Sequence, residues 1–386
     1  MPGRGLSTGT NGSAAAKQTC AQCQENEAFE NVRGRYMCRT CFRRYIETKC
    51  VKRMEAFRTR HSSADQHRLL LLPLSLGLSS VTLLQLLEDQ LKRQVSKSGR
   101  TGFELHVLHV DDSPSVDSNN DSQSAAILER IKSRYPKHAY SICPLSDVMA
   151  LPDIEDVLNQ NNIDTASSTP LTDASTNDGK LLNFLSSLPS MTARTDAFQI
   201  LRQRLIVSVA KSLSCEAILW SDTTTRLAEK TLSETAKGRG FSLAWAISDG
   251  PSPHGIDFYY PMRDLLKKEL VAYASIEEIG LQEIAIPEKP TSTVVSAKNS
   301  SIDELMRGYF ENVEANYPSI VANVVRTTGR LQAPTTATAQ GDSKCGLCGL
   351  PIISAGGEDG FKVKGMTRHG IQFCHGCARS FPLSSA

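Results

Sequence analysis

The stretch RLLLLPLSLGLSSVTLLQLLEDQLKRQV, residues 68–95, decides the fold of this chain. Its short apolar run from 69 to 74 is typical of a strand buried in a parallel sheet. Apolar residues at helical spacing follow from 81, and the loop SLGLSS (75–80) lies between the two. A strand, a short loop and a helix in this order form the first unit of an open α/β sheet.

The same alternation continues toward the C-terminus. Further strands are predicted in FELHVLHVDD (103–112), HAYSICPL (138–145), EAILWSD (216–222) and FSLAWAISD (241–249), with helical segments between them. We therefore predict an α/β domain at 67–290, built on an open parallel five-stranded sheet with helices on both faces. An insertion at about 151–180, rich in Asn, Asp, Ser and Thr, is predicted to be disordered, and 291–330 to be helical.

The sequence excludes a transmembrane helix, and we expect no membrane partner. The chain has 386 residues and a formal net charge of +2, and it has no apolar run of the roughly 18 residues that a membrane span needs. Residues 1–18 lack the apolar core of an export signal, and we expect a disordered tail there. A linker is predicted at 331–344. These features indicate a soluble, cytoplasmic protein.

Eight of the eleven cysteines fall in four C-x2-C pairs. Such pairs indicate metal binding in a cytosolic chain, where thiols stay reduced. Two pairs can give one zinc ion four thiolates, which closes the site and favours a structural role. The predicted ligands are Cys20, Cys23, Cys38 and Cys41 in an N-terminal module (19–66), and Cys345, Cys348, Cys374 and Cys377 in a C-terminal module (345–386). His369 and His375 are alternative ligands in the second module.

The N-terminal module is strongly basic. From Arg33 to Arg68 there are eleven Lys or Arg residues against three Asp or Glu, and aromatic residues lie among them. A zinc module beside a basic helix is typical of RNA contact. A solvated helix face is the alternative. The candidate RNA-binding residues are Arg43, Arg44, Lys52 and Arg53.

Two loops are placed to form a ligand crevice. SLGLSS joins the first strand to the first helix, and Asp222 ends the strand EAILWSD, so both lie at carboxyl ends of parallel strands. Backbone N–H groups and serine hydroxyls at the first loop would bind an anion. The loop lacks the lysine of a standard NTPase loop. The alternatives are an ordinary turn with a serine N-cap and an aspartate N-cap.

These segments resemble the PP-loop ATPases, or adenine-nucleotide alpha hydrolases. SLGLSS resembles their pyrophosphate loop S-G-G-x-D-S, and LWSDTTTRLAEKTL (219–232) is similar to their second signature, G-H-x-x-D-D-x-A-E-T. YYPMRDLLKKEL (259–270) resembles the segment in which a Pro-Leu-Arg turn opens a helix. With cysteine pairs at both ends, the chain looks like the cytoplasmic tRNA 2-thiolation protein 2 family over about 20–380, apart from the insertion.

The departures from the PP-loop pattern decide the implied role. Leu76 stands where the family has glycine, and we expect it to resist a positive φ and to obstruct a phosphate. The stretch 187–196 lacks the C-x-x-C of active thiolation enzymes, and 249–261 lacks their further cysteine. We therefore assign no catalytic residue. The degenerate nucleotide loop comprises Ser75, Gly77, Ser79, Ser80 and Asp222, and whether ATP still binds stays open.

The resemblance implies a non-catalytic subunit in tRNA wobble-uridine 2-thiolation, which forms 5-methoxycarbonylmethyl-2-thiouridine. Its partners would be a catalytic PP-loop paralogue and cytosolic tRNA. A ubiquitin-related modifier would supply sulfur as a thiocarboxylate, and its conjugation to proteins is a further implied role. One alternative is that the chain is itself an ATP-dependent tRNA sulfurtransferase. Another is a zinc-bearing interaction protein unrelated to RNA.

Overall fold

The structure is a computed structural model that describes residues 18–63, 66–112, 118–160, 176–287, 300–333, 344–352, 366–368 and 370–381. The predicted tail lies outside the described residues except at 18, as does the linker between 334 and 343. Two helices, Pro152–Gln160 and Asn177–Ser187, occupy parts of the predicted insertion or its border, and 161–175 lie outside the described residues. No helix in the described ranges is long and apolar enough to cross a membrane.

Within these ranges the strands are β1 Glu30–Val32, β2 Arg35–Met37, β3 Leu69–Pro73, β4 Glu104–Asp111, β5 Ala139–Pro144, β6 Ala217–Leu219, β7 Gly250–Pro251, β8 Asp257–Tyr259, β9 Met366–Arg368 and β10 Ile371–Phe373. The helices are α1 Arg39–Arg53, α2 Leu78–Ser98, α3 Ser118–Arg134, α4 Pro152–Gln160, α5 Asn177–Ser187, α6 Met191–Ser212, α7 Thr224–Ala236, α8 Leu243–Ala246, α9 Lys267–Ala274, α10 Ile302–Asn316, α11 Pro318–Thr328 and α12 His375–Ser380.

The central sheet has six strands in the order β5-β4-β3-β6-β8-β7. Five of them run parallel, which confirms the predicted parallel sheet, and β7 pairs antiparallel at one edge. The order places β3 and β6 side by side. From β3 the chain continues to β4 and β5 on one side, and from β6 it continues to β8 on the other. Their carboxyl ends therefore meet at one edge of the sheet, where an open α/β fold binds ligands.

The predicted fifth strand at 241–249 is wrong. That stretch contains the short helix α8, and the fifth parallel strand is β8, Asp257–Tyr259. The Tyr260 hydroxyl donates to the Ala246 carbonyl at 2.7 Å and fixes the short helix over the strand. Ala and Leu in 241–249 are helix formers, whereas the aromatic residues of DFYY suit a half-buried strand.

Two hydrophobic cores cover the two faces of the sheet. Leu70 and Leu72 of β3 pack with α2, α3 and α9, whereas Leu71 packs with α5, α6, α7, α10 and α11. Successive strand residues point to opposite faces, and this alternation separates the cores. Helices on both faces are thereby confirmed. The N-terminal module joins the first core and the C-terminal module joins the second, so the modules lie on opposite faces.

Candidate metal centres and strand-end cavity

The N-terminal quartet gathers four sulfur atoms within 4.8 Å of one another, those of Cys20, Cys23, Cys38 and Cys41. Its first pair lies in a tight turn, in which Gln24 N–H donates to the Cys20 carbonyl at 2.9 Å. Gln24 takes a φ of 59° there. The hairpin β1–β2 then leads to Cys38, the N-cap of α1, so Cys41 lies in the first helical turn.

The C-terminal quartet repeats this construction with Cys345, Cys348, Cys374 and Cys377, again within 4.8 Å. Gly349 N–H donates to the Cys345 carbonyl at 2.8 Å, and the hairpin β9–β10 leads to Cys374, the N-cap of α12. This duplication was not predicted from the sequence. Its signal in the sequence is the buried apolar residue before each second pair, Met37 and Phe373.

Both quartets fit a thiophilic metal ion. Metal–sulfur bonds of about 2.3 Å in a tetrahedron place two sulfurs about 3.8 Å apart. The Cys23 and Cys38 sulfurs are 3.8 Å apart, and those of Cys348 and Cys374 are 3.7 Å apart. A hydrogen bond from the Cys23 backbone lowers the pKa of Cys20 to about 6, whereas burial raises the pKa of Cys41 to about 12. His375 is exposed, and His369 lies outside the described residues.

Two largely buried arginines lie beside the C-terminal quartet. Arg204 interacts electrostatically with Cys348 and Cys345, and Arg239 with Cys377. Gly349 and Gly376 permit this approach, because a Cβ atom at either position would collide with the neighbouring arginine. The two guanidinium groups offset the negative charge that thiolates bring into the protein interior.

A buried ion cluster fastens the helices around the C-terminal module. Lys237 Nζ lies 3.0 Å from an Asp196 oxygen, 2.8 Å from Glu234 and 3.2 Å from Asp303. Arg239 pairs with Asp196 and Glu234 in the same cluster. These contacts connect α6, the end of α7 and the start of α10. Glu234, Lys237 and Arg239 are close in sequence, but nothing near them indicates the two distant partners, Asp196 and Asp303.

In the loop after β3, Leu76 takes a backbone conformation that is usually found at glycine. Leu76 has a φ of 60°, so the expectation that it resists a positive φ is wrong. Its side chain is fully buried in the first core, and this burial offsets a conformational cost of about 1–2 kcal/mol. The Leu76 carbonyl accepts a hydrogen bond from Ile286 N–H at 2.8 Å, which pins the loop from outside.

Two of the serine hydroxyls of this loop, those of Ser75 and Ser80, are engaged with the loop itself. Ser75 Oγ donates to Ser80 Oγ at 3.2 Å, and Ser80 Oγ donates to the Gly77 carbonyl at 2.9 Å. Ser80 is fully buried, whereas Ser79 is partly exposed in the first turn of α2. Gly77 is the N-cap of α2, without a side-chain cap, so the serine N-cap alternative is wrong.

A cavity of about 510 Å³ lies at the carboxyl ends of β3 and β6. Ser75 and Asp222 both line it, and so do both tryptophans of the chain, Trp220 and Trp245. Asp222 forms an ion pair with Lys230 at 3.7 Å. The N-cap of α7 is Thr223, not Asp222, so the aspartate N-cap alternative is also wrong.

The basic wall of this cavity, which includes Arg202, Arg226 and Arg307, was not predicted from the sequence. The presence of Cys348 in the wall, which places the C-terminal quartet against the same space, was not predicted either. Prediction of the strands locates only the part of the cavity wall that lies at the strand ends. The other walls come from α6, α10 and the C-terminal module, whose positions depend on tertiary packing.

The three unpaired cysteines lie elsewhere. Cys50 is buried in α1, and its burial raises its pKa to about 12. Cys215 precedes β6 and therefore lies at the amino ends of the strands, opposite the cavity. Cys143 lies in β5, the outermost strand on one side of the sheet. None of the three lines the described part of the cavity.

The four candidate RNA-binding residues divide into two pairs. Arg43 lies 2.9 Å from Glu47 and 3.6 Å from Asp89, and Arg53 is bound to Asp264. Arg44 and Lys52 are exposed on α1. Arg43 and Arg53 therefore form ion pairs that attach the N-terminal module to the α/β domain. Arg44 and Lys52 remain available to a polyanion.

Comparison with known sequences gives consistent matches. Residues 301–369 match the sequence model of the family described as Cytoplasmic tRNA 2-thiolation protein 2. Proteins of that name are 44% identical in Phaeosphaeria nodorum, over 97% of this chain and 97% of the relative, and 44% identical in Pyrenophora tritici-repentis, over 96% and 97%. The relative from Neosartorya fischeri is 37% identical over 99% of both chains.

Among solved structures, the fold is similar to that of the U34-tRNA thiolase NcsA from Methanococcus maripaludis, determined with its 4Fe–4S cluster. The TM-score is 0.56 over 87% of this chain and 93% of the other, at 14% sequence identity. This likeness shows a shared fold, in agreement with the PP-loop-like architecture predicted from the sequence.

Proposed function

The chain belongs to the cytoplasmic tRNA 2-thiolation protein 2 family, and we propose that it serves tRNA thiolation as a non-catalytic subunit. In this proposal a catalytic PP-loop paralogue adenylates the wobble uridine of cytosolic tRNA. A ubiquitin-related modifier supplies the sulfur from its thiocarboxylate. The chain stabilises its partner and contacts the tRNA in the cytoplasm. The proposal includes a role in conjugating the same modifier to proteins.

The main support for this proposal comes from the cysteines that line the cavity at the carboxyl ends of β3 and β6, here called the strand-end cavity. Relay of sulfur through a protein needs a thiolate that is free to attack the donor. Among the described residues that line the cavity, the one cysteine is Cys348, whose sulfur belongs to a closed quartet. The start of α6, at 187–196, has no cysteine. The loop after β3 supports the same conclusion, because the Ser75 hydroxyl, which lines the cavity, and the Ser80 hydroxyl are both engaged within the loop.

We further propose that both quartets hold structural zinc and that α1 contacts tRNA. Four thiolates leave no open coordination position, so the ions would stabilise the modules and not activate a substrate. The exposed cations Arg44 and Lys52, with the half-exposed Tyr36 in the same module, offer phosphate contacts and a stacking surface.

One observation favours the alternative, an ATP-dependent sulfurtransferase in this chain. The cavity keeps a volume of about 510 Å³ and a basic wall with Arg202 and Arg307, which suits a nucleotide. The two functions differ in whether the chain needs its paralogue.

A reconstituted thiolation assay separates them. Full-length chain, catalytic paralogue, tRNA, ATP and thiocarboxylated modifier are combined, and thiolated tRNA is detected by its retarded migration in a mercury-containing gel. We expect no product from the chain alone and full product when the paralogue is added. Product from the chain alone would overturn the proposal, and serine variants of Cys50, Cys143 and Cys215 would then identify the reactive thiol.

A further inference from the structure

The two quartets share one construction and differ in exposure. In the C-terminal quartet all four cysteines are buried, and the most exposed, Cys348, has 7% of its surface accessible. In the N-terminal quartet Cys20 and Cys38 are buried, whereas Cys23 and Cys41 are partly exposed. A reagent in solution can therefore reach two neighbouring ligands of the first site directly.

Packing around the quartets strengthens this difference. Arg204 and Arg239 lie over the C-terminal quartet, and Phe373 and Phe381 are buried in the same core. The N-terminal quartet is formed at the surface, since the residues at 21, 22 and 24–27 around its first pair are all exposed. Cys348 lines the strand-end cavity, but little of its surface is accessible, and the other three C-terminal cysteines are buried more deeply. Access to the C-terminal sulfurs is therefore more restricted than access to those of Cys23 and Cys41.

We propose that the N-terminal quartet is an oxidation-sensitive, exchangeable metal site and that the C-terminal quartet is a permanent one. This inference concerns the thiols themselves and is independent of the proposed role in tRNA thiolation.

The oxidation step needs a two-electron oxidant such as hydrogen peroxide. The thiolate of Cys23 or Cys41 attacks one peroxide oxygen, the O–O bond breaks, and a sulfenic acid and a hydroxide ion form. The other thiolate attacks the sulfenic sulfur, a disulfide forms, and a second hydroxide leaves. Two sulfurs are oxidised and one peroxide is reduced. The sulfur atoms lie within 4.8 Å, and an ion left with two thiolates dissociates.

The structural consequence is confined to part of the module. Phe42, Ile46 and Met54 anchor α1 in the first core with fully buried side chains. The preceding segment, 18–38, has a small set of buried side chains, such as Val32 and Met37, and hydrogen bonds from Arg33 attach only its hairpin tip, so we expect most of its fold to depend on the quartet. Loss of the ion therefore opens the hairpin β1–β2 and leaves α1 in place.

Metal release from the purified full-length chain tests the proposal. Hydrogen peroxide is added in the presence of the chromogenic chelator 4-(2-pyridylazo)resorcinol, which reports released ions. We expect about one ion per chain in a first phase and a second ion only after denaturation. Alkylation and mass spectrometry should find Cys23 and Cys41 oxidised and the C-terminal cysteines reduced. Release of both ions together, or earlier oxidation of the C-terminal cysteines, would overturn the proposal.

Matched variants and proteolysis provide the controls. Cys23→Ser should abolish the first phase, whereas Cys348→Ser, at the equivalent position of the other quartet, should retain it. Tryptic cleavage after Arg33 and Arg35 needs no variant, and it should appear in wild-type protein on oxidation and disappear after dithiothreitol and metal are restored. Cleavage unchanged by peroxide would contradict the opening of the hairpin and with it the exchangeable site.

Discussion

Arg53 donates two hydrogen bonds to the Asp264 carboxylate, from Nε at 2.7 Å and from Nη2 at 3.0 Å. The contact joins the last turn of α1 to the turn before α9. Arg33, at the tip of the hairpin β1–β2, adds hydrogen bonds to the Asp264 carbonyl at 3.0 Å and to Glu269 at 3.3 Å. One turn of the α/β domain thus receives both the helix and the hairpin of the N-terminal module.

Replacement of Arg53 by alanine should lower the free energy of unfolding by about 0.5–1 kcal/mol, because both partners are roughly one-third exposed and solvent screens the pair. Burial raises the pKa of Asp264, but the hydrogen bonds from Arg53 outweigh it and the pKa lies below its ordinary value. The stabilisation is therefore present above about pH 4 and is lost as the pH falls further. Urea denaturation checks the change, with Arg44→Ala as the exposed control. Equal effects of the two variants would contradict a specific attachment.

Charge reversal of Arg44 and Lys52 together should weaken tRNA binding by the complex and lower the slope of log affinity against log salt by about one per lost phosphate contact. Both side chains are exposed, so the fold should persist. Filter binding across a salt series measures the slope. The control is reversal of Lys137 and Arg330, which are exposed outside the module. Equal slopes for both double variants would show that α1 presents only a solvated face.

Acid stability should depend on the buried ion cluster. Burial raises the pKa of Glu234, but Arg239 and Lys237 lower it overall, from 4.5 to about 2. A group with a depressed folded pKa stabilises the protein above its unfolded pKa and loses that contribution as the pH falls. We expect up to about 3 kcal/mol to be lost between pH 4.5 and pH 2. Thermal unfolding of wild type and Glu234→Gln over this range checks it, and parallel pH profiles would contradict the role of Glu234.

Local spacing made the two cysteine quartets predictable as candidate metal sites, because a C-x2-C pair places two sulfurs on one turn whatever surrounds it. The strands β3 and β6 were predictable for a similar reason, since each is a short apolar run between turn residues, and β4 was predictable from its alternating pattern. The strand β8 was missed because three residues carry little periodic signal, and the Ala- and Leu-containing stretch before it competed for the assignment.

Ion pairs between residues that are far apart in the chain could not be predicted from the sequence. Nothing near Arg53 indicates a carboxylate 211 residues away, so an arginine used in packing looked the same as one available to RNA. The positive φ of Leu76 had the same origin. The backbone preference of leucine predicted that Leu76 would resist a positive φ. Burial of its side chain in a core that is assembled from distant elements outweighed this preference.

Replacement of Ser80 by alanine should distinguish a degenerate loop from a working one. The Ser80 hydroxyl is fully buried, donates to Gly77 and accepts from Ser75, so it holds the loop and does not face the cavity. We expect the variant to lose about 1–2 kcal/mol of stability, since two neutral hydrogen bonds disappear. Thiolation by the reconstituted complex should stay within about twofold of wild type, because a change of about 0.4 kcal/mol or less is expected at the reacting atoms. The partly exposed Ser79→Ala is the control. A large loss of thiolation with tRNA binding and folding intact would show that the loop takes part in the chemistry, and the non-catalytic assignment would then be wrong.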